Sequence, residues 1–91
     1  MTVRYARNPK IEAAPMKGEC VLFNPQNNKF CLLNGTASLL WDRLDSAKNA
    51  DELALELERN FAGVDQERAR QDAVATMKDL MDIGCVTTVD Q

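Results

Sequence analysis

The sequence predicts an α+β domain of winged helix-turn-helix type, with an N-terminal two- or three-stranded antiparallel sheet followed by three helices. Three observations predict it. Two apolar runs, E-C-V-L-F and K-F-C-L-L, flank the turn N-P-Q-N-N, which is a hairpin pattern. Three amphipathic runs follow, each opened by a residue that caps helices. A chain of 91 residues has room for one core and not for two.

Residues 1–8 read as a flexible arm with little to bury, and residues 9–91 as a single domain. In P-K-I-E-A-A-P an edge strand fits around Ile11–Ala13, since proline is tolerated at strand ends and edges. Lys17-Gly18 reads as a turn. Cys20–Phe23 is a strand by its β-branched and aromatic content. Asn24 to Asn28 turns the chain, because Pro25 presets φ and asparagine tolerates left-handed geometry. Lys29–Leu33 is the returning strand. If Asn24 pairs with Lys29, one face carries Cys20, Leu22, Cys31 and Leu33, and the other carries Val21, Phe23, Phe30 and Leu32. Both faces are apolar. Helices should therefore cover one, and protein or a guest should partly cover the other.

Asn34 or Thr36 caps a first helix that buries Leu40, Trp41 and Leu44 and fades around Ser46–Lys48. Asn49 or Asp51 caps a second, with Glu52 in its first turn and a buried stripe of Leu53, Ala54, Leu57 and Phe61. Gly63 stops it. Asp65 caps a third helix running to about Ile83, with Ala73, Val74, Met77, Leu80 and Met81 inward. Gly84 stops that helix, and Cys85–Val89 is β-prone enough for a last short strand.

Composition narrows the function. Net charge is −3, which disfavours nucleic acid and anionic membranes as partners. There is no histidine, so the commonest general base and the commonest metal ligand are both absent. Cys20, Cys31 and Cys85 form no C-x-x-C pair and read first as buried reduced thiols in a cytoplasmic protein, with a Cys20–Cys31 disulfide across the hairpin as the weaker alternative, since register decides whether the two meet. Ser38 and Thr36 have no imidazole to activate them. Gly18, Gly35, Gly63 and Gly84 lie scattered at element boundaries and make no phosphate loop. No cofactor is implied. Neither a secretory signal nor an apolar run of spanning length appears.

Two binding readings remain. A helix-turn-helix raises DNA binding. Against it, the third helix and its cap carry Asp65, Glu67, Asp72, Asp79 and Asp82 against Arg68, Arg70 and Lys78, and a net acidic recognition helix repels phosphates. Alternatively, the strand Lys29–Leu33 could keep an unpaired backbone edge, and such an edge accepts an extended peptide as an extra strand. The same apolar edge could also pair with a second copy in a homodimer.

At G-E-C-V-L-F, K-F-C-L-L-N-G-T-A-S-L-L-W, A-D-E-L and G-C-V, the chain resembles the PqqD-like family, small peptide chaperones also called RiPP recognition elements. Gly18-Glu19, Phe30, Leu33-Asn34, Trp41 and Glu52-Leu53 fall in the family's order with matching gaps, and the likeness runs from about Pro9 to Val86. Ala50 and Gly35 depart from its usual residues. The resemblance implies a non-catalytic adaptor. It would capture the leader of a ribosomally synthesised precursor peptide by β-strand addition. It would then present that peptide to a modifying enzyme, such as a radical-SAM maturase, a cyclase or a protease in natural product biosynthesis. Carried onto this chain, the strand edge is Lys29, Phe30, Cys31 and Leu32. The candidates for the facing helix wall are Arg70, Val74, Met77, Lys78 and Met81. A winged-helix transcription regulator is the alternative, and an enzyme is the least favoured reading.

Overall fold

A computed structural model describes residues 3–17 and 19–90. The element order is β1 (Val3–Arg7), β2 (Glu12–Met16), β3 (Glu19–Asn24), β4 (Lys29–Leu33), α1 (Gly35–Arg43), α2 (Ala50–Asn60), α3 (Gln66–Asp82) and β5 (Val86–Asp90). The α+β class and the order of sheet before three helices are as the sequence implies. The strands form two sheets, β2-β3-β4 and β1-β5, both antiparallel.

The hairpin has the expected register, with Asn24 opposite Lys29 and Cys20 opposite Leu33. Asn28 closes its turn with φ +58, a conformation asparagine adopts at little cost. Cys20, Leu22 and Leu33 on the inner face are buried against the helices. Each fully buried leucine contributes roughly 1.5–3 kcal/mol by leaving water.

Each helix starts where a short polar side chain can satisfy free amides. Asn34 accepts from the Ala37 amide, and Asp65 accepts from that of Arg68. Asn49 and Glu52 form a reciprocal capping box. Leu40, Trp41 and Leu44 from α1 meet Leu53, Ala54 and Leu57 from α2 and Ala69, Ala73, Met77 and Leu80 from α3 in one core. Phe61 packs at its margin, half-buried.

Several expectations need correction. Residues 3–7 are not a loose arm. They form β1, paired with β5 from Val3 opposite Asp90 to Arg7 opposite Val86. The alternation V-R-Y-A-R turns Tyr5 toward the core, and Arg7 donates to the Trp41 carbonyl at 2.6 Å and lies over the Trp41 ring. Those contacts give this segment something to bury and to bond. Asn8, the last residue of the expected arm, is tied down too, its amide donating to the Cys85 carbonyl at 2.9 Å, while Met1 and Thr2 of that arm and Gly18 of the expected turn lie outside the described residues. The first edge strand is Glu12–Met16 rather than Ile11–Ala13, and it includes Pro15. The first helix ends at Arg43, earlier than expected, because the Leu44 amide bonds back to the Trp41 carbonyl in a tighter turn. Val74 is not inward but 40% exposed, since the inward line of α3 runs through Ala69, Ala73, Met77 and Leu80.

Candidate functional site

β4 pairs with β3 on one side, and among the described residues no strand pairs with its other side. Which backbone groups are free follows from a proline. Pro15 lies opposite Cys20 in the β2–β3 ladder. Proline has no N–H, so its nitrogen must face away from β3. That makes Pro15–Cys20 a pair without mutual hydrogen bonds, and it turns the Cys20 amide and carbonyl toward β4. Alternation along the register then directs Leu33, Cys31 and Lys29 at β3. The backbone donors and acceptors of Phe30 and Leu32 face outward, unclaimed by the ladder.

Beside this edge lies an open cleft of about 400 Å³. Cys31, Leu32 and Leu33 form one wall. Asp72, Ala75, Thr76 and Asp79 of α3 form the other, with Leu80 between them, and Asn34, Thr36 and Ala37 close one end. The α3 residues recur at intervals of three, four and seven, so they share one helical face. That face is small and polar, and its short side chains leave the space beside the strand edge open.

The cleft is electronegative. None of its lining residues is Lys or Arg. Asp72 is 3.5 Å from the Arg68 Nε. None of the ion pairs among the described residues involves Asp79. Burial pushes the Cys31 thiol above its ordinary pKa, and the Asp79 charge pushes it further. Burial likewise raises Cys85, with Cys31 adding to the effect. Both cysteines and Cys20 are free thiols.

The expected strand residues all lie on β4, the strand that borders the cleft. Cys31 and Leu32 line the cleft, and Lys29 and Phe30 continue the same edge. Phe30 turns its ring to the outer sheet face, where it is 72% exposed and lies 4.6 Å from the Phe23 ring centroid. The helix half differs. Met77 is wholly buried in the core, and Met81 packs half-buried against it. Arg70 and Val74 line a separate depression with Val3, Tyr5 and Asp51, and Arg70 pairs with Asp51 there. Lys78 is exposed outside the cleft. The residues sequence reasoning missed, Asp72, Ala75, Thr76 and Asp79, lie one stripe around the helix. The signal was present. Once Ala69, Ala73, Met77 and Leu80 are assigned to the core, the neighbouring small and polar line is what remains to face a strand edge.

The surface of α3 offers no continuous basic stripe. Arg68 and Arg70 are drawn into ion pairs with Asp72 and Asp51. Among the described residues no group of three or more His, Cys, Asp or Glu side chains is placed to hold a metal ion. No helix among them is long and apolar enough to cross a membrane.

A family model described as "Coenzyme PQQ synthesis protein D (PqqD)" matches residues 19–86. Two solved structures share the fold. One, "TbiB1 in Complex with the TbiA(beta) Leader Peptide", is 17% identical with a TM-score of 0.83, covering 94% of this chain and 99% of that one. The other, "Lasso peptide synthetase B1 complexed with the leader peptide", is 24% identical with a TM-score of 0.76, covering 91% and 96%. No curated protein matches the sequence.

Proposed function

The chain belongs to the PqqD family, and on that footing we propose that it is a non-catalytic, cytoplasmic adaptor that captures the leader of a ribosomally made precursor peptide. The leader adds as a strand to the free edge of β4 and rests against α3. The adaptor then presents the remainder of the peptide to a maturation enzyme, of the radical-SAM, cyclase or protease kind. The observation that carries this reading is the outward edge of Phe30 and Leu32 beside an open cleft. Two solved structures of the same fold are complexes with leader peptides, which supports the reading.

The physics of such capture is simple. Main-chain hydrogen bonds to Phe30 and Leu32 supply register and part of the affinity, and alternate guest side chains fall to either side of the sheet. The guest is disordered beforehand and loses entropy on docking, so affinity is roughly nanomolar to low micromolar. Fluorescence-anisotropy titration of the intact protein tests this. The probes are synthetic leaders from small reading frames beside its gene. Saturable binding of at least one leader is expected. Failure of every leader to bind, with the fold intact by circular dichroism, overturns the proposal. Duplex DNA in the same assay is expected to show no saturable binding.

A further inference from the structure

We infer that the segment captured at β4 carries a lysine or arginine on its helix-facing side, held by Asp79. This rests on the strand-docking reading above and specifies the chemistry of the guest. A strand added beside β4 continues its pleat, so successive guest side chains alternate between the two sheet faces. One set falls beside the exposed Phe30 and Leu32. The other points the way Cys31 points, into the space bounded by Asp72, Ala75, Thr76 and Asp79.

On that wall the two carboxylates are seven positions apart, about 10 Å along the helix axis. They are not equivalent. Asp72 already has Arg68 within 3.5 Å, whereas Asp79 has no ion-pair partner among the described residues. Ala75 and Thr76 next to it are short, which leaves room for a long side chain to lie along the helix. The field of Asp79 also reaches across to β4, where it acts on Cys31. A guest that covers Asp79 with an apolar side chain partly desolvates an unpaired carboxylate, which is unfavourable. An acidic guest side chain adds repulsion. A cationic one gains an ion pair and leaves no orphan charge, so this single position discriminates among guests that all satisfy the backbone equally.

The test is selection of a random-peptide display library on the intact protein and on Asp79→Asn, an exposed and nearly isosteric change. Peptides selected on the parent are expected to show Lys or Arg at one fixed position, two residues from the next helix-facing residue. That enrichment should vanish on the variant. For the best peptide, Asp79→Asn or replacement of the cation by norleucine is expected to weaken binding roughly 2- to 5-fold at low ionic strength. The two changes together should cost no more than either alone, and added salt should shrink the effect. Selected peptides without a basic position, or equal binding to parent and variant, overturn the inference and leave strand docking standing. Failure to select any peptide that Leu32→Pro abolishes overturns strand docking itself.

Discussion

Cys31 of β4 pairs with Leu22 of β3, and its backbone groups point into that ladder, whereas those of the next residue, Leu32, point out. Two adjacent prolines should therefore behave differently. Leu32→Pro is expected to leave the fold cooperative and lower peptide affinity at least about 10-fold. Leu32→Ala separates the loss of the side chain from the loss of the amide. Cys31→Pro should instead break a ladder hydrogen bond and cost about 1–3 kcal/mol of stability. Thermal unfolding and anisotropy titration of the three variants check this. Equal binding by Leu32→Pro and parent would place the docking edge elsewhere.

The capping box of α2 makes stability depend on acid. The Asn49 amide donates to the Glu52 carboxylate at 2.9 Å, and Arg4 donates to it at 2.8 Å. The Asn49 amide first and Arg4 second hold the Glu52 carboxyl below the usual carboxylate range. The charged form thus favours the fold. Its contribution is present above the unfolded pKa of about 4.3 and is lost as pH falls through the lower folded value. Glu52→Ala is expected to cost about 0.5 kcal/mol at neutral pH, a modest value because the ion pair is exposed. Urea titrations across the acid range should show parent and variant converging. A difference that stays constant into strong acid would assign the effect to helix propensity alone.

Gly84 couples the end of α3 to the hairpin. Its φ is +77, and a Cβ there would come within 2.8 Å of the Asn24 Nδ2. That nitrogen donates to the Ile83 carbonyl at 3.2 Å, while Asn24 itself is buried. Gly84→Ala is expected to destabilise the protein by about 1–3 kcal/mol. A melting temperature within a degree of the parent would contradict the close approach.

Cys31 reports on occupancy of the cleft. With its pKa raised first by burial and then by Asp79, little thiolate forms near neutral pH, and alkylation should be slower than for a free cysteine. Asp79→Asn is expected to recover only part of the rate, because burial is the larger cause. A docked leader should protect Cys31 further, as followed by mass spectrometry of the alkylated peptide. Unchanged labelling with leader in excess would remove Cys31 from the covered surface.

Local signals made most of the fold legible. The Asn34, Asn49 and Asp65 caps, the Asn24–Lys29 register and the strand Lys29–Leu33 each rest on residues within a few positions of one another. β1 was hidden because its partner, β5, lies at the other end of the sequence, and V-R-Y-A-R has no neighbouring strand to complete a hairpin pattern. That β4 is an edge strand was legible because the hairpin turn N-P-Q-N-N fixes its pairing with β3, and the next element is a helix rather than another strand. The expected helix residues Arg70, Val74, Met77, Lys78 and Met81 do not line the cleft, because periodicity alone does not tell which side of α3 the core takes. The core claims Met77, Arg70 and Val74 line another depression, and the cleft is lined instead by Asp72, Ala75, Thr76 and Asp79, of which the two carboxylates read in the sequence only as solvated helix surface.

The cleft is pinned at both ends. Asn24 and Asn27 donate to the carbonyl of Ile83, tying the hairpin turn to the end of α3. At the opposite end Leu33 runs through Asn34 directly into α1. A groove tied at both ends is held in shape before a ligand enters, so most of the ordering on association falls on the incoming chain. Stiffening that chain, for instance by cyclising it in its extended form, should therefore tighten the complex without any new contact.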